Sequence, residues 1–377
     1  MKKKRSQQTA DWIRNILFSL ICLVLIINLL MPDRATSLAE NRPLKQFPSY
    51  SSEKLLDGEY MNALSDWFSD QFAGRTGWIH FKYILEKMMG TKKIDTVYLG
   101  KEGLIEETSQ ENQEQMMRNL SAINNFCVNH GVRSSFLLVP NAVNVQKEQL
   151  PKHATVLDQN QQMDTIFNAL DPSIQRIDVR KTLEEHKNEY LYYHSDHHWT
   201  SLAAFYSFQQ LASSLKLGKI VKDAYEVYPV TQSFEGTLAK KTGSLGVKDT
   251  IDIYLGKNTP EYVVIDESSG TKSRSVYTID GLESANPYDV FLGGNKSLIQ
   301  IETLGDNDRH LLLFKDSYAN ALIPFLLPYY RTITIVDPRY FYEDIERIFR
   351  LNLITDVLFV YNSNTFVQDT SLADVIE

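Results

Sequence analysis

Four apolar runs, at 135–139, 311–314, 332–336 and 357–361, and a more polar one at 175–179, alternate with stretches whose apolar residues recur every three or four positions. Runs of this length are too short to cross a bilayer and too apolar to lie in water, so they are buried as strands covered on both faces. Strand–helix–strand units of this size pair their strands in parallel. The expected helices fall at about 109–130, 161–170, 200–216, from 318 onward and at 340–350. Thr200 is a good N-cap for the third, and Pro324 ends or kinks the fourth. The expected fold class is α/β, a parallel sheet flanked by helices.

Three segments depart from that alternation. Residues 229–300 are rich in Gly, Ser, Thr and short β-branched runs and read as a β-rich insertion or lid. Residues 53–90 read as helical from the spacing of Leu55, Leu56, Tyr60, Leu64, Trp67, Phe68 and Phe72. Residues 96–105 read as a hairpin turning through 100–103. A length of 377 residues fits two domains, or one enlarged domain with an insertion.

From Trp12 to Met31 the chain reads WIRNILFSLICLVLIINLLM. As a helix rising about 1.5 Å per residue it covers about 30 Å, the thickness of a bilayer's hydrocarbon core. Ser19 and Asn28 are tolerated because a helix satisfies its own backbone, and Arg14 lies close enough to the end to snorkel. Residues 1–14 hold five of the chain's 39 Lys and Arg but one of its 47 Asp and Glu, so the net charge of −8 leaves −12 on the remainder. By the positive-inside rule, residues 1–11 are a cytoplasmic tail and 12–32 a transmembrane signal anchor. Residues 33–90, with Pro43 and Pro48 near their start, follow as a juxtamembrane linker and helical segment, and 91–377 as the α/β domain outside the cytoplasm. The alternative is a cleaved signal peptide with Ser37-Leu38-Ala39 as its small-x-small site, for which the apolar run is long.

The acidic remainder lacks the basic footprint that nucleic acid requires. Cys22 lies in the apolar run and Cys127 in the α/β part, so neither a disulfide nor a CxxC pair is expected. An exported chain without disulfides fits a bacterial cell surface better than a eukaryotic secretory route.

Two places can carry chemistry. Residues 193–200, Tyr193-His194-Ser195-Asp196-His197-His198-Trp199-Thr200, hold three of the eight histidines. Phe314-Lys315-Asp316-Ser317-Tyr318 lies where a buried strand gives way to a helix. Strand C-termini of open α/β sheets face the ligand crevice, and unpaired N–H groups at a helix start favour a developing oxyanion. A serine there needs a base, and the base an orienting carboxylate. Asp196 and His198, two residues apart, can supply both from one tight loop. Each feature has a plainer alternative. Ser317 is well placed as a simple N-cap, and His194, Asp196 and His198 are a possible metal-ligand set that spacing alone does not reject. Trp199 reads as core or pocket wall and Lys315 as a solvated strand end.

Asp196-His197-His198-Trp199 resembles the signature of the DHHW family, a branch of the SGNH-hydrolase-like proteins. It also resembles the Asp-x-His-Trp segment of periplasmic alginate O-acetyltransferases and related glycan-acetylation proteins. The similarity extends to Glu40-Asn41-Arg42-Pro43-Leu44 with Phe47-Pro48, and to Trp67-Phe68 through Asp70, Phe72 and Arg75. Residues 97–103, Val139-Pro140-Asn141 and Lys315-Asp316-Ser317-Tyr318 resemble the family as well, so the likeness covers roughly 40–370, with 229–300 least matched.

That resemblance implies a triad with Ser317 as nucleophile, His198 as base and Asp196 as orienter, and it calls for no cofactor or metal. Because the Asp–His block precedes the serine block, it implies a circularly permuted SGNH order. Lys315-Asp316-Ser317 then stands for the serine block, Asp337-Pro338-Arg339 for the glycine block, and Asn362, with Asn364 as competitor, for the oxyanion-donating asparagine. Arg339, Asn141 and Tyr318 are the remaining candidates for oxyanion or substrate binding. Lys315 in place of glycine and the lack of a glycine near Arg339 are departures; Gly293-Gly294-Asn295 is a candidate second donor or a plain turn. The implied activity is serine-dependent O-acyl, chiefly O-acetyl, transfer or ester hydrolysis on a cell-surface polysaccharide or peptidoglycan. Activated acetyl donors are made in the cytoplasm, so a membrane-bound O-acyltransferase partner is implied. The competing reading is an inactive surface glycan-binding or assembly module, for which 20 Tyr and 4 Trp offer stacking surfaces.

Overall fold

A computed structural model describes residues 2–37 and 42–377; Leu38 and Ala39 of the candidate cleavage site, and Glu40 and Asn41 of the N-terminal motif, lie outside the described residues. The chain divides into two compact units, Met1–Glu86 and Lys87–Glu377.

In the first unit, helix Lys2–Leu30 contains the span Asp11–Asn28, with a mean hydropathy of 1.7 and almost wholly exposed side chains. Length and composition suit it to cross a bilayer. The helical stretch expected at 53–90 is three helices, Ser52–Leu56, Glu59–Gln71 and Arg75–Met88. Gly58, left-handed at φ 78°, separates the first two, and extended Phe72 ends the second. Helix periodicity reads through such breaks because one turn residue barely disturbs the apolar spacing. Hydrogen bonds tie these helices to the chain leaving the apolar run: Ala73 N–H to Asn28 Oδ1 (2.6 Å), Trp67 Nε1 to Asp33 Oδ2 (2.8 Å), and the Gln71 amide to both backbone groups of Arg34.

The second unit is built on an eight-stranded sheet. Its strands are β1 (Arg133–Val139), β2 (Gln175–Asp178), β3 (Tyr262–Asp266), β4 (Thr271–Ser273), β5 (Leu298–Thr303), β6 (His310–Lys315), β7 (Thr332–Val336) and β8 (Asp356–Asn362). The spatial order is β4-β3-β5-β7-β6-β8-β1-β2. The five strands from β7 to β2 are parallel, as expected, and correspond to the five runs read from the sequence. The other three pair antiparallel along one edge, so the sheet is mostly rather than wholly parallel. Those three strands come from or border 229–300. Part of that segment extends the main sheet, and part forms a separate antiparallel pair, Tyr225–Phe234 with Asp249–Gly256.

Successive strand residues feed two cores. Leu311 and Leu313 of β6 join Leu137, Val139, Leu358 and Val360 on one face, packed by helix Ser201–Ser214. Leu312 and Phe314 join Phe136, Leu138, Val357 and Phe359 on the other, under helices Gln113–His130, Gln159–Ala169 and Ile345–Leu351. This alternation is the period-two geometry of a strand covered on both sides. The expected hairpin gains a third strand, Lys93–Ile94, before Val97–Leu99 and Leu104–Glu106.

Candidate active site

Loop 191–200 is pinched at its base, where Tyr193 N–H donates to the His198 carbonyl (3.2 Å) and Thr200 N–H to the Leu191 carbonyl (2.8 Å). Thr200 caps helix Ser201–Ser214, its hydroxyl accepting the Ala203 N–H. Within so tight a loop Asp196 and His198 face each other. Asp196 Oδ1 accepts the His198 backbone N–H at 2.9 Å and its Nδ1–H at 2.5 Å. Donation from Nδ1 leaves the lone pair on Nε2, which accepts the Ser317 hydroxyl at 2.7 Å. Carboxylate, imidazole and hydroxyl thus form one continuous relay between positions 119 apart in sequence.

Ser317 follows the carboxyl end of β6. The N-cap role that competed for it falls instead to Asp316, whose Oδ1 accepts the Tyr318 N–H at 2.9 Å and so leaves the serine hydroxyl to His198. The α-helix expected from 318 is a 3-10 turn, Ser317–Ala321, followed by the short helix Ile323–Leu326. Pro324, lacking an N–H and sitting in the first turn of that short helix, prevents one continuous helix.

Burial, and then the neighbouring His197, lower the His198 pKa to about 4 against the opposing pull of Asp196, so the ring is neutral at pH 7. Burial would raise the Asp196 pKa, yet His197, His198 and the Thr237 N–H together hold it well below the usual carboxylate range. Burial pushes Asp316 up to about 6, against hydrogen bonds from the Asn362 and Tyr318 N–H groups.

Residues 229–300 supply the braces. Asp196 Oδ2 accepts both the N–H (2.7 Å) and the hydroxyl (2.9 Å) of Thr237. The two chains meet so closely that a Cβ on Gly236 would lie 2.2 Å from that of Asp196. Asp249 accepts the N–H groups of His194 (2.8 Å) and Ser195 (2.7 Å), clamping the loop from behind. Tyr288 stacks on the His198 ring at 3.9 Å and donates its hydroxyl to the Ser317 carbonyl at 3.2 Å. Sequence reasoning missed all of these. Gly236-Thr237 opening the helix Thr237–Thr242 was a readable local signal, whereas Asp249 and Tyr288 act on residues remote in sequence.

Adjacent strand ends carry the other candidates. Asn362, ending β8, gives both amide hydrogens away, to Asp316 Oδ2 (2.6 Å) and Thr365 Oγ1 (2.7 Å), and its backbone N–H also reaches Asp316 (2.8 Å). Asn141, after β1, is buried and links Tyr318, Asn362, Gln159 and Asn364. The Tyr318 hydroxyl donates to the His197 carbonyl, while the Tyr318 carbonyl accepts from Trp199 Nε1 at 2.9 Å. Asn141 and Tyr318 therefore tie the site together from within. Asn362 and Arg339 border an open cleft of 340 Å3 that also reaches His197, Ser109 and Asn364. Arg339, after β7, grips Asp337 with Nε (2.8 Å) and Nη2 (2.7 Å). Lys315 is not a solvated strand end: it is 1% exposed, with Nζ 3.2 Å from Asp337 Oδ2 and 3.0 Å from Asn295 Oδ1. Asn295 acts there as an acceptor for the strand end.

The possible metal set separates. The donor atoms that lie within 4.8 Å of one another belong to Asp196, His197 and His198, and each already has a hydrogen-bond partner. His194 is elsewhere, its N–H on Asp249 and its ring against Tyr190.

Fold and site together define an α/β protein with a hydroxyl–imidazole–carboxylate relay at the carboxyl edge of its sheet. The chain belongs to the DHHW family, whose model, described as DHHW protein, matches residues 40–126 and 119–336. A DHHW family protein from Eubacterium siraeum aligns with a TM-score of 0.64 at 24% identity, over 74% of this chain and 93% of that one. Bacillus cereus PatB1, solved with a sulfonyl adduct, aligns with a TM-score of 0.62 at 20% identity, over 74% of this chain and 98% of that one. Likeness at these identities establishes a shared fold. No curated protein matches the chain.

Proposed function

We propose that this protein is a membrane-anchored, extracytoplasmic O-acyltransferase, with acetyl as its group and a cell-surface polysaccharide or peptidoglycan as its acceptor. The observation that carries this reading is the relay Ser317–His198–Asp196, with spacings of 2.7 and 2.5 Å and a neutral imidazole in the middle. Such a relay favours catalysis over the inactive binding module, for which a satisfied Ser317 hydroxyl would serve no purpose. The permuted SGNH order remains part of the reading: the base block, in the loop before helix Ser201–Ser214, precedes the nucleophile block, which follows the end of β6.

His198 Nε2 takes the Ser317 proton as Oγ attacks the donor's acyl carbon, whose carbonyl electrons move onto oxygen. Collapse expels the donor's leaving group, which takes the proton from His198 and leaves an acyl-serine. An acceptor hydroxyl then yields its proton to His198 and attacks the acyl carbon; collapse returns the electrons and the proton to Ser317 Oγ. Water in the acceptor's place makes the same cycle an esterase. The Ser317 N–H, in the first position of its turn and without an intrahelical partner, is the backbone donor assigned to the oxyanion. Arg339 is assigned to substrate at the cleft, while Asn362 serves by holding Asp316. Hydroxyl and amide groups of Ser109, Asn364 and Thr365 line that cleft and suit a polyol acceptor. A polytopic membrane-bound O-acyltransferase would deliver acyl groups from the cytoplasm.

The test is acetyl-ester turnover and acetyl transfer to glycan fragments by the full-length protein. Ser317→Ala is expected to abolish both at an unchanged melting temperature, and a sulfonyl fluoride to label Ser317 in the wild type only. Equal turnover by wild type and variant rejects the serine mechanism.

A further inference from the structure

Helix Arg75–Met88 is apolar on two faces. One carries Ile79 and the buried Tyr83. The other presents Trp78, Phe81, Leu85 and Met88 at three- and four-residue spacing, and these are 53%, 50%, 41% and 80% exposed. Single exposed apolar side chains are ordinary, but four aligned in one stripe mark a surface that something covers.

The helix's place in the fold identifies the cover. Asn28, ending the span Asp11–Asn28, is buried and accepts the Ala73 N–H two residues before the helix begins. The bonds from Gln71 to Arg34 and from Trp67 to Asp33 fasten the preceding helix to the same exit point. An apolar span of this length ends at the lipid–water boundary, so helix Arg75–Met88 starts there. By helical period Lys82, with its side chain 54% exposed, lies beside the stripe, where a cationic side chain meets headgroups. An indole and a phenyl ring suit that depth.

We propose that helix Arg75–Met88 lies in the outer lipid–water interface. Trp78, Phe81, Leu85 and Met88 sit among the upper acyl chains, with Lys82 at the headgroups. The helix is thus a second, surface attachment beside the spanning one. The inference rests on the anchor reading above and is independent of the relay's chemistry.

Full-length protein in phosphatidylcholine–phosphatidylglycerol vesicles, with or without bromine high on the acyl chains, tests it. The chain's tryptophans are Trp12, Trp67, Trp78 and Trp199, so the emission missing from Trp78→Phe is that of Trp78. That difference emission is expected to be blue-shifted and quenched at least twofold by brominated lipid, and Phe81→Glu/Leu85→Glu is expected to release it. Emission typical of a water-exposed indole, indifferent to bromine, overturns the inference. Shielding of Trp78 that rises with protein-to-lipid ratio, or that requires a co-reconstituted acyltransferase, overturns it too, because the cover is then protein. The Trp12→Phe difference reads the anchor separately. An unquenched Trp12 in protein that washes off at alkaline pH defeats the anchor reading and this inference with it. A quenched Trp12 beside an unquenched Trp78 defeats the surface helix alone.

Discussion

Asp196→Asn keeps the shape of the orienting side chain but removes its charge, and its amide can no longer fix the His198 tautomer. Turnover is expected to fall by about 10^3–10^4-fold with the fold intact; a loss below tenfold would mean that Asp196 does not orient the base. The pH profile carries a second signature. His198, lowered to about 4, is neutral and competent above that value and loses its lone pair as pH falls through it, so kcat/KM persists below the range where an ordinary histidine is protonated. Asp316, raised to about 6, adds an earlier step: protonation there opposes a donor it now accepts from and loosens the serine turn. Asp316→Asn separates the two, leaving a profile level to about pH 5 that falls near 4; a single limb near 6.5 in that variant would contradict the lowered His198 pKa. The three relay residues, which the structure brings together, were legible because a reactive serine calls for a base and a carboxylate and the DHHW string is distinctive. Lys315 was not legible, since nothing in Phe314-Lys315-Asp316 reveals that Asp337, 22 positions on, neutralises it in the interior.

The strand ends are where elements meet the site, and the Lys315–Asp337–Arg339 cluster holds two of them together. Desolvation dominates at Lys315 and lowers its pKa, so its charge depends on Asp337. Asp337→Ala strands a buried ammonium and is expected to destabilise the protein by about 3–5 kcal/mol in denaturant unfolding, with Lys315→Met added on top recovering most of the loss. Failure of the double variant to recover would show that the pair does not hold β6 to β7. The parallel strands were legible as elements because burial on both faces leaves continuous apolar runs. The antiparallel strands β3 and β5 were not separable from their surroundings. β3 is half-buried, β5 is broken up by Gln300 and Glu302, and sequence does not say which sheet a strand joins. The same limit made the braces at Thr237, Asp249 and Tyr288 look like part of a lid.

For the whole molecule, the charge asymmetry around the apolar span predicts orientation. Alkaline phosphatase fused after Glu377 is expected to be active in intact bacteria, and the full chain to stay with membranes through an alkaline wash; an inactive fusion would reverse the topology. The order of the strands has a consequence for how such a chain comes into being. β8, the last strand made, lies between β6 and β1, so the two halves of the sheet have no shared neighbour until residues 356–362 insert between them. Closure of the sheet therefore waits on the strand made after all the others, and its two halves join late in folding.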